Sequence, residues 1–136
     1  LDQSATVIEE LGSGVSDFTV TELRSLAGAF RFSGADAEKP VGVLSGGEKS
    51  RLAVAKLLLT SSNLLVLDEP TNHLDLKAKD VLQKALLAFE GTLLIVSHDR
   101  FFLDGIVDKV LEVSPGGTRM LNGNLTEYVE KLEAEL

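Results

Sequence analysis

The sequence predicts an α/β domain with a parallel sheet, and three observations carry that expectation. Two short apolar runs, Leu64–Leu67 and Thr92–Val96, are separated by a helical stretch, Lys77–Phe89. That is the pattern of a strand–helix–strand crossover joining parallel neighbours. Neither run alternates polar with apolar residues, so each reads as a strand buried on both faces. Both runs also end in chemically active groups: Asp68 and Glu69 after the first, His98 after the second. In open α/β sheets ligands bind beyond the carboxyl ends of the strands, so these three side chains can converge on one ligand.

Composition bounds the rest. A chain of 136 residues is long enough for one domain with a core. Its 44% hydrophobic and 25% charged residues are those of a globular protein and not of a disordered one. A net charge of −8 argues against a broad basic surface for nucleic acid. With no cysteine, disulfides, thiolate metal sites and cysteine nucleophiles are excluded, and two histidines are too few for a His-rich metal site. No apolar run reaches the roughly 18 residues of a membrane-spanning helix. Leu1-Asp2-Gln3-Ser4 shows no signal-peptide character and reads as the interior of a longer chain, and the composition suits the cytoplasm.

In chain order, residues 4–11 read as a short helix with Ser4 as N-cap and Gly12 past its end. Residues 12–16 are a loop. Thr19 to Phe32 is the next helix, started by the capping box Thr19-x-x-Glu22 and carrying Val20, Leu23, Leu26, Ala27 and Phe30 on its core face. Ser33 to Val43 is a polar loop. Leu44-Ser45-Gly46-Gly47-Glu48 then opens a helix to Leu59, with Ser45 and Glu48 again at capping-box spacing. Two readings fit these residues equally. One is a well-capped helix with a glycine start. The other is an anion site, since the first amides of a helix lack partners and lie at the positive end of its dipole. Arg51 and Lys56 read as solvated charges.

Residues 60–63 turn into the first strand. After the helix Lys77–Phe89, with Val81, Leu82, Ala85, Leu86 and Phe89 inward, Gly91 leads into the second strand. Arg100 to Gly105 is a short helix with Phe101, Phe102 and Leu103 packing inward. Lys109–Val113 and Thr118–Leu121 are strands joined by the turn Ser114-Pro115-Gly116-Gly117. Leu125 to Leu136 is a polar helix with Tyr128, Val129 and Leu132 on its apolar side.

Taken together, Leu44–Glu48 (LSGGE), Leu64–Pro70 (LLVLDEP), Asp75 and His98 resemble the second half of an ATP-binding-cassette ATPase domain, a P-loop NTPase-like fold. They match its signature motif, Walker B strand, D-loop and switch histidine. Thr71-Asn72-His73-Leu74-Asp75 and Ser97-His98-Asp99-Arg100-Phe101-Phe102-Leu103-Asp104 further resemble the ABC-F family, proteins with two cassettes in one chain. The stretch Phe32 to Pro40 is more similar to the second cassette than to the first. One element of the pattern is missing: these residues contain no G-x-x-x-x-G-K-[ST] phosphate loop, and Leu1–Ser4 resembles the segment just after the Q-loop. The resemblance thus implies a partial cassette. Residues 1–60 correspond to the helical subdomain and signature helix, 61–122 to the Walker B, D-loop and switch core, and 123–136 to the C-terminal helix.

The resemblance implies ATP and Mg²⁺ as ligands. It implies that Asp68 helps hold the metal, that Glu69 orients the attacking water, and that His98 senses the γ-phosphate. Ser45, Gly46, Gly47 and Glu48 would face an ATP held by a second cassette, Asp75 would act across that interface, and His73 would be structural. Asp75 also has a plainer reading as the N-cap of the helix after it. The implied setting is the ribosome and its tRNA, engaged through segments outside these residues, with no membrane. Two other functions fit less well: an ATPase subunit of a membrane transporter, and a non-catalytic half-cassette that only pairs with other chains. A half sheet is also expected to leave an apolar face and edge open, favouring association.

Overall fold

A computed structural model describes residues 1–136. Six helices and four strands follow in the order α1 (Val7–Gly12), α2 (Val20–Ala29), α3 (Gly46–Leu59), β1 (Leu64–Asp68), α4 (Leu76–Leu87), β2 (Thr92–Val96), α5 (Arg100–Asp104), β3 (Lys109–Ser114), β4 (Gly117–Asn122) and α6 (Leu125–Ala134). β1 and β2 pair in parallel with Leu65 opposite Leu93, and α4 is their crossover. β3 and β4 form a separate antiparallel hairpin. The α/β expectation holds.

Three helices begin with reciprocal capping boxes: Thr6 with Glu9, Thr19 with Glu22, and Ser45 with Glu48. The first corrects the sequence reading, which placed the cap at Ser4. Ser4 instead bonds the Asp2 carboxylate through both its amide and its hydroxyl. The backbone of residues 5–7 is also engaged with residues 39–41, where Val7 N–H donates to Lys39 and Val41 N–H to Ala5. That bridge holds the chain extended until Thr6. The loop expected over 33–43 contains two 3-10 turns, Gly34–Glu38 and Val41–Val43, which bury Ala37 and Val41.

α2 stops at Ala29 instead of Phe32, because Arg31 adopts a left-handed φ of 69°. Phe32 N–H reaches back to Ala27 and Arg31 N–H to Gly28, the helix-ending pattern that ordinarily recruits glycine. The turn delivers Phe30 and Phe32 into the core, both essentially inaccessible to solvent. Arg51 and Lys56 are not the free charges the sequence suggested. The Arg51 guanidinium lies 5.4 Å from the centre of the Phe32 ring and its Nε donates to the Phe30 carbonyl. Lys56 pairs with Glu10, a carboxylate only 3% exposed. Burial alone would raise the Glu10 pKa, but the Lys56 ammonium and the Asp2 amide outweigh it and hold the carboxyl below its usual value.

One continuous apolar core runs from Val7 to Leu103 and joins the helical region to the sheet. The β strands are buried on one face only. Leu65 and Leu67 point into the core, while Leu64, Val66, Leu94 and Val96 form an open apolar stripe. The unbroken apolar sequence had implied two covered faces; α4 supplies a cover for one. Val20 and Phe101 are likewise exposed instead of inward. Val20 is the first residue of its helix, beyond the packed face. In the five-residue α5, Phe102 and Leu103 take the inner side, and the roughly 100° rotation per residue carries Phe101 outward.

Candidate functional site

The ladder between β1 and β2 fixes the candidate site. It continues one residue past β1, with the Glu69 N–H donating to the Val96 carbonyl at 2.7 Å. The chain then reverses sharply: Glu69 has φ 48°, in the left-handed region, directly before the buried Pro70. Few non-glycine residues sit there, and such strain concentrates at functional positions. Asn72 N–H donates to the Glu69 carbonyl and Leu74 N–H to the Thr71 carbonyl, so the reversal is a tight, hydrogen-bonded loop. Thr71 and Leu74 anchor it in the core.

The register places the residue after β2 beside that carboxylate. The backbone N–H of His98 donates to Glu69 Oε2 at 3.3 Å, and its Nε2 lies 3.4 Å from Oε1. The Glu69 side chain is largely covered at 24% exposure, whereas the His98 imidazole is 99% exposed. A covered carboxylate thus stands behind an imidazole that is free to meet a ligand. Asp68, the last residue of β1, is exposed at the same end of the sheet. The register therefore brings Glu69 and His98 together, with Asp68 exposed at the same strand end.

Ser45, Gly46, Gly47 and Glu48 form a second group at the start of α3. The Glu48 carboxylate accepts the Ser45 N–H at 2.7 Å, and the Ser45 hydroxyl oxygen accepts the Glu48 N–H at 3.2 Å. Chiefly the Ser45 N–H, then its hydroxyl, holds the Glu48 carboxyl below its ordinary pKa. This box satisfies two amides and leaves those of Gly46 and Gly47, which have no partner within a helix. The two glycines differ. A side chain at Gly46 would meet nothing within 4 Å, so its backbone is open to a ligand. A Cβ at Gly47 would lie 3.3 Å from the His73 ring, so this glycine admits the loop after β1.

Asp75 caps α4, with Oδ1 accepting the Ala78 N–H at 2.8 Å, as its plainer reading foresaw; Oδ2 lies 3.6 Å from Arg31 Nε. Two residues escaped the sequence reading. Arg31 reaches Asp75 from the end of α2, and Lys79 of α4 donates to Asp99 at 2.7 Å. Each pair joins distant segments, which periodicity does not report. The available signal for Lys79 was its place one helical turn after Asp75.

A family model described as ABC transporter matches residues 1–72. The chain is 48% identical to YdiF of Bacillus subtilis over 136 residues, all of this chain and 21% of the relative. It is 42% identical to ABC transporter F family member 5 of Arabidopsis thaliana, covering 96% of this chain and 19% of the relative. Against the energy-dependent translational throttle protein EttA of Escherichia coli the identity is 45%, over 96% of this chain and 24% of the relative. The chain thus spans about a fifth of the length of these relatives. Among solved structures, the complex of archaeal ribosomal stalk protein aP1 with archaeal ribosome recycling factor aABCE1 superposes with a TM-score of 0.71 at 27% identity. That match covers 99% of this chain and 28% of the other.

Proposed function

This chain belongs to the ABC transporter family, and we propose that it is the part of an ABC-F ATPase carrying the signature helix, the hydrolytic carboxylate and the switch histidine. The observation that carries the reading is the pairing of Glu69 with His98 across adjacent strand ends. The F-family names among the relatives support the subfamily.

The residues present fit the ligands. Mg²⁺ is commonly held by one or two carboxylates together with phosphates and waters, and the exposed Asp68 at the strand end is such a carboxylate. When bound, the metal would neutralise charge on the transferring phosphoryl group. The open Gly46 backbone and the free amides beside it suit an anion. The Ser45 hydroxyl can donate to that anion, because its role in the cap uses only a lone pair.

Glu69 receives the proton of the attacking water and orients that water for in-line attack. The His98 backbone N–H holds Oε2, and the left-handed turn fixes the direction of the carboxylate. Phosphoryl transfer depends mostly on such positioning. His98, with its imidazole in solvent, donates to the γ-phosphate and loses that partner on hydrolysis. Ser45, Gly46 and Gly47 serve the ATP of a second cassette, and Asp75 acts across the interface between the two. One chain therefore contributes to two composite sites, and ATP controls their closure.

In this reading residues 1–60 are the helical subdomain and signature helix, 61–122 the core, and 123–136 the C-terminal helix. The parent protein works in the cytoplasm on the ribosome in translation. The names of EttA and of the aABCE1 complex support that setting. No helix here is long and apolar enough to cross a membrane.

The test uses the full-length protein that contains this segment. Glu69→Gln is expected to bind ATP normally, to slow hydrolysis by about 100-fold or more, and to accumulate the closed state. Hydrolysis at the wild-type rate would overturn the assignment.

A further inference from the structure

Beyond the Glu69 carboxylate 3.4 Å from its Nε2, the His98 imidazole is open to solvent at 99% exposure, so its position depends on the backbone turn that carries it. That turn is secured from one side by Asp99, the N-cap of α5. Its Oδ1 accepts the Phe102 N–H at 3.0 Å and its own N–H donates to Ser97 Oγ at 3.1 Å. The other oxygen, Oδ2, takes the Lys79 ammonium at 2.7 Å. Both partners are partly covered, Lys79 at 33% and Asp99 at 22% exposure. The Lys79 contact and the Phe102 N–H hold the Asp99 carboxyl below its ordinary pKa, so it stays charged throughout the neutral range. Lys79 is itself tied to the other loop, its N–H closing the first turn of α4 onto the Asp75 carbonyl at 2.9 Å. Gln83, one turn further along α4, donates to the Phe102 carbonyl at 3.1 Å.

We propose that Lys79 is a positioning residue for His98: acting through Asp99, it braces the turn after β2 against the helix that begins at Asp75. The brace links the two loops that follow β1 and β2. The proposal rests on the ATPase reading of this site.

The experiment measures ATP turnover by the full-length protein carrying Lys79→Met, Lys79→Arg, His98→Ala and the Lys79→Met/His98→Ala pair, with Glu69→Gln as control. Lys79→Met is expected to lower kcat by about tenfold while KM changes by less than about twofold, because positioning affects the reacting geometry and not ground-state binding. Lys79→Arg, which keeps the charge, retains turnover within about threefold. The deciding readout is the pair: if Lys79 acts through His98, adding Lys79→Met to His98→Ala costs less than about twofold further, since residues acting as a unit are not additive. A full additional loss in the pair, or an unchanged kcat in Lys79→Met, overturns the proposal. Undiminished hydrolysis by Glu69→Gln instead overturns the ATPase reading beneath it, so the two failures are distinguishable.

Discussion

The chain up to Leu103 and the chain after it are held together differently. Every buried residue lies in the first region, and from Asp104 to Leu136 none is buried. The first region closes over Phe30, Phe32, Leu52 and Leu82, which solvent does not reach. The second, hairpin β3–β4 with α6, rests Tyr128, Val129 and Leu132 half-covered on its neighbours. Polar ties do the rest. Arg119 spans Glu112 at 3.3 Å and Glu135 at 3.0 Å, and Asp104 accepts from the Thr126 amide and hydroxyl. Exposed ties of this kind contribute little individually, whereas apolar burial is roughly additive in area. Glu69 and His98 are both placed by the well-packed region. The structure thus separates a rigid part that sets the geometry of the site from a periphery free to open locally.

Core truncation breaks the comparison most directly. Leu82→Ala, at a residue with no solvent exposure in α4, is expected to destabilise by about 3 kcal/mol in denaturant unfolding. A loss below about 1 kcal/mol would mean that the first region tolerates cavities like a loose periphery. Next comes the buried ion pair. Lys56→Met leaves the Glu10 carboxylate with only the Asp2 amide, a loss of about 2 kcal/mol at neutral pH once the partial exposure of Lys56 is allowed for. The sign with pH follows. The folded pKa of Glu10 is depressed, so its contribution is complete above the unfolded value and is lost as pH falls through the folded one. Acid titration of stability is expected to show that loss in the wild type and not in Lys56→Met. The smallest effect sharpens the contrast: Thr126→Val is expected to change global stability by less than about 1 kcal/mol. It should still speed amide hydrogen exchange across residues 105–136, with residues 7–103 unaffected. Uniform acceleration would merge the two regions into one cooperative unit.

What could be read from the sequence was local or periodic. The capping boxes at Thr19 and Ser45 are set by side chains three residues apart, so they are visible in the chain itself. The crossover β1–α4–β2 follows from periodicity, and the meeting of Glu69 with His98 follows from the crossover. Several misreadings share one cause, dependence on a distant partner, whereas the early end of α2 at Arg31 and the outward Phe101 are local. Ser4 lost the cap to Thr6 because residues 39–41 hold the preceding backbone extended. Lys56 looked solvated, and Lys79 went unread, because Glu10 and Asp99 lie far away in sequence. One-sided burial of β1 depends on what stands opposite, which an apolar run does not encode.

Three residues with side chains occupy backbone that glycine would fill with less strain: Arg31, Glu69 and His73, with φ of 69°, 48° and 64°. Replacement by glycine at such positions typically relieves about 1 kcal/mol of conformational strain. All three lie on the loops that shape the candidate site. A selection for heat resistance alone would therefore be drawn toward Arg31→Gly, Glu69→Gly and His73→Gly. The most accessible stabilising mutations are the ones that dismantle the site, and survivors of such a selection would be sturdier proteins with less to do.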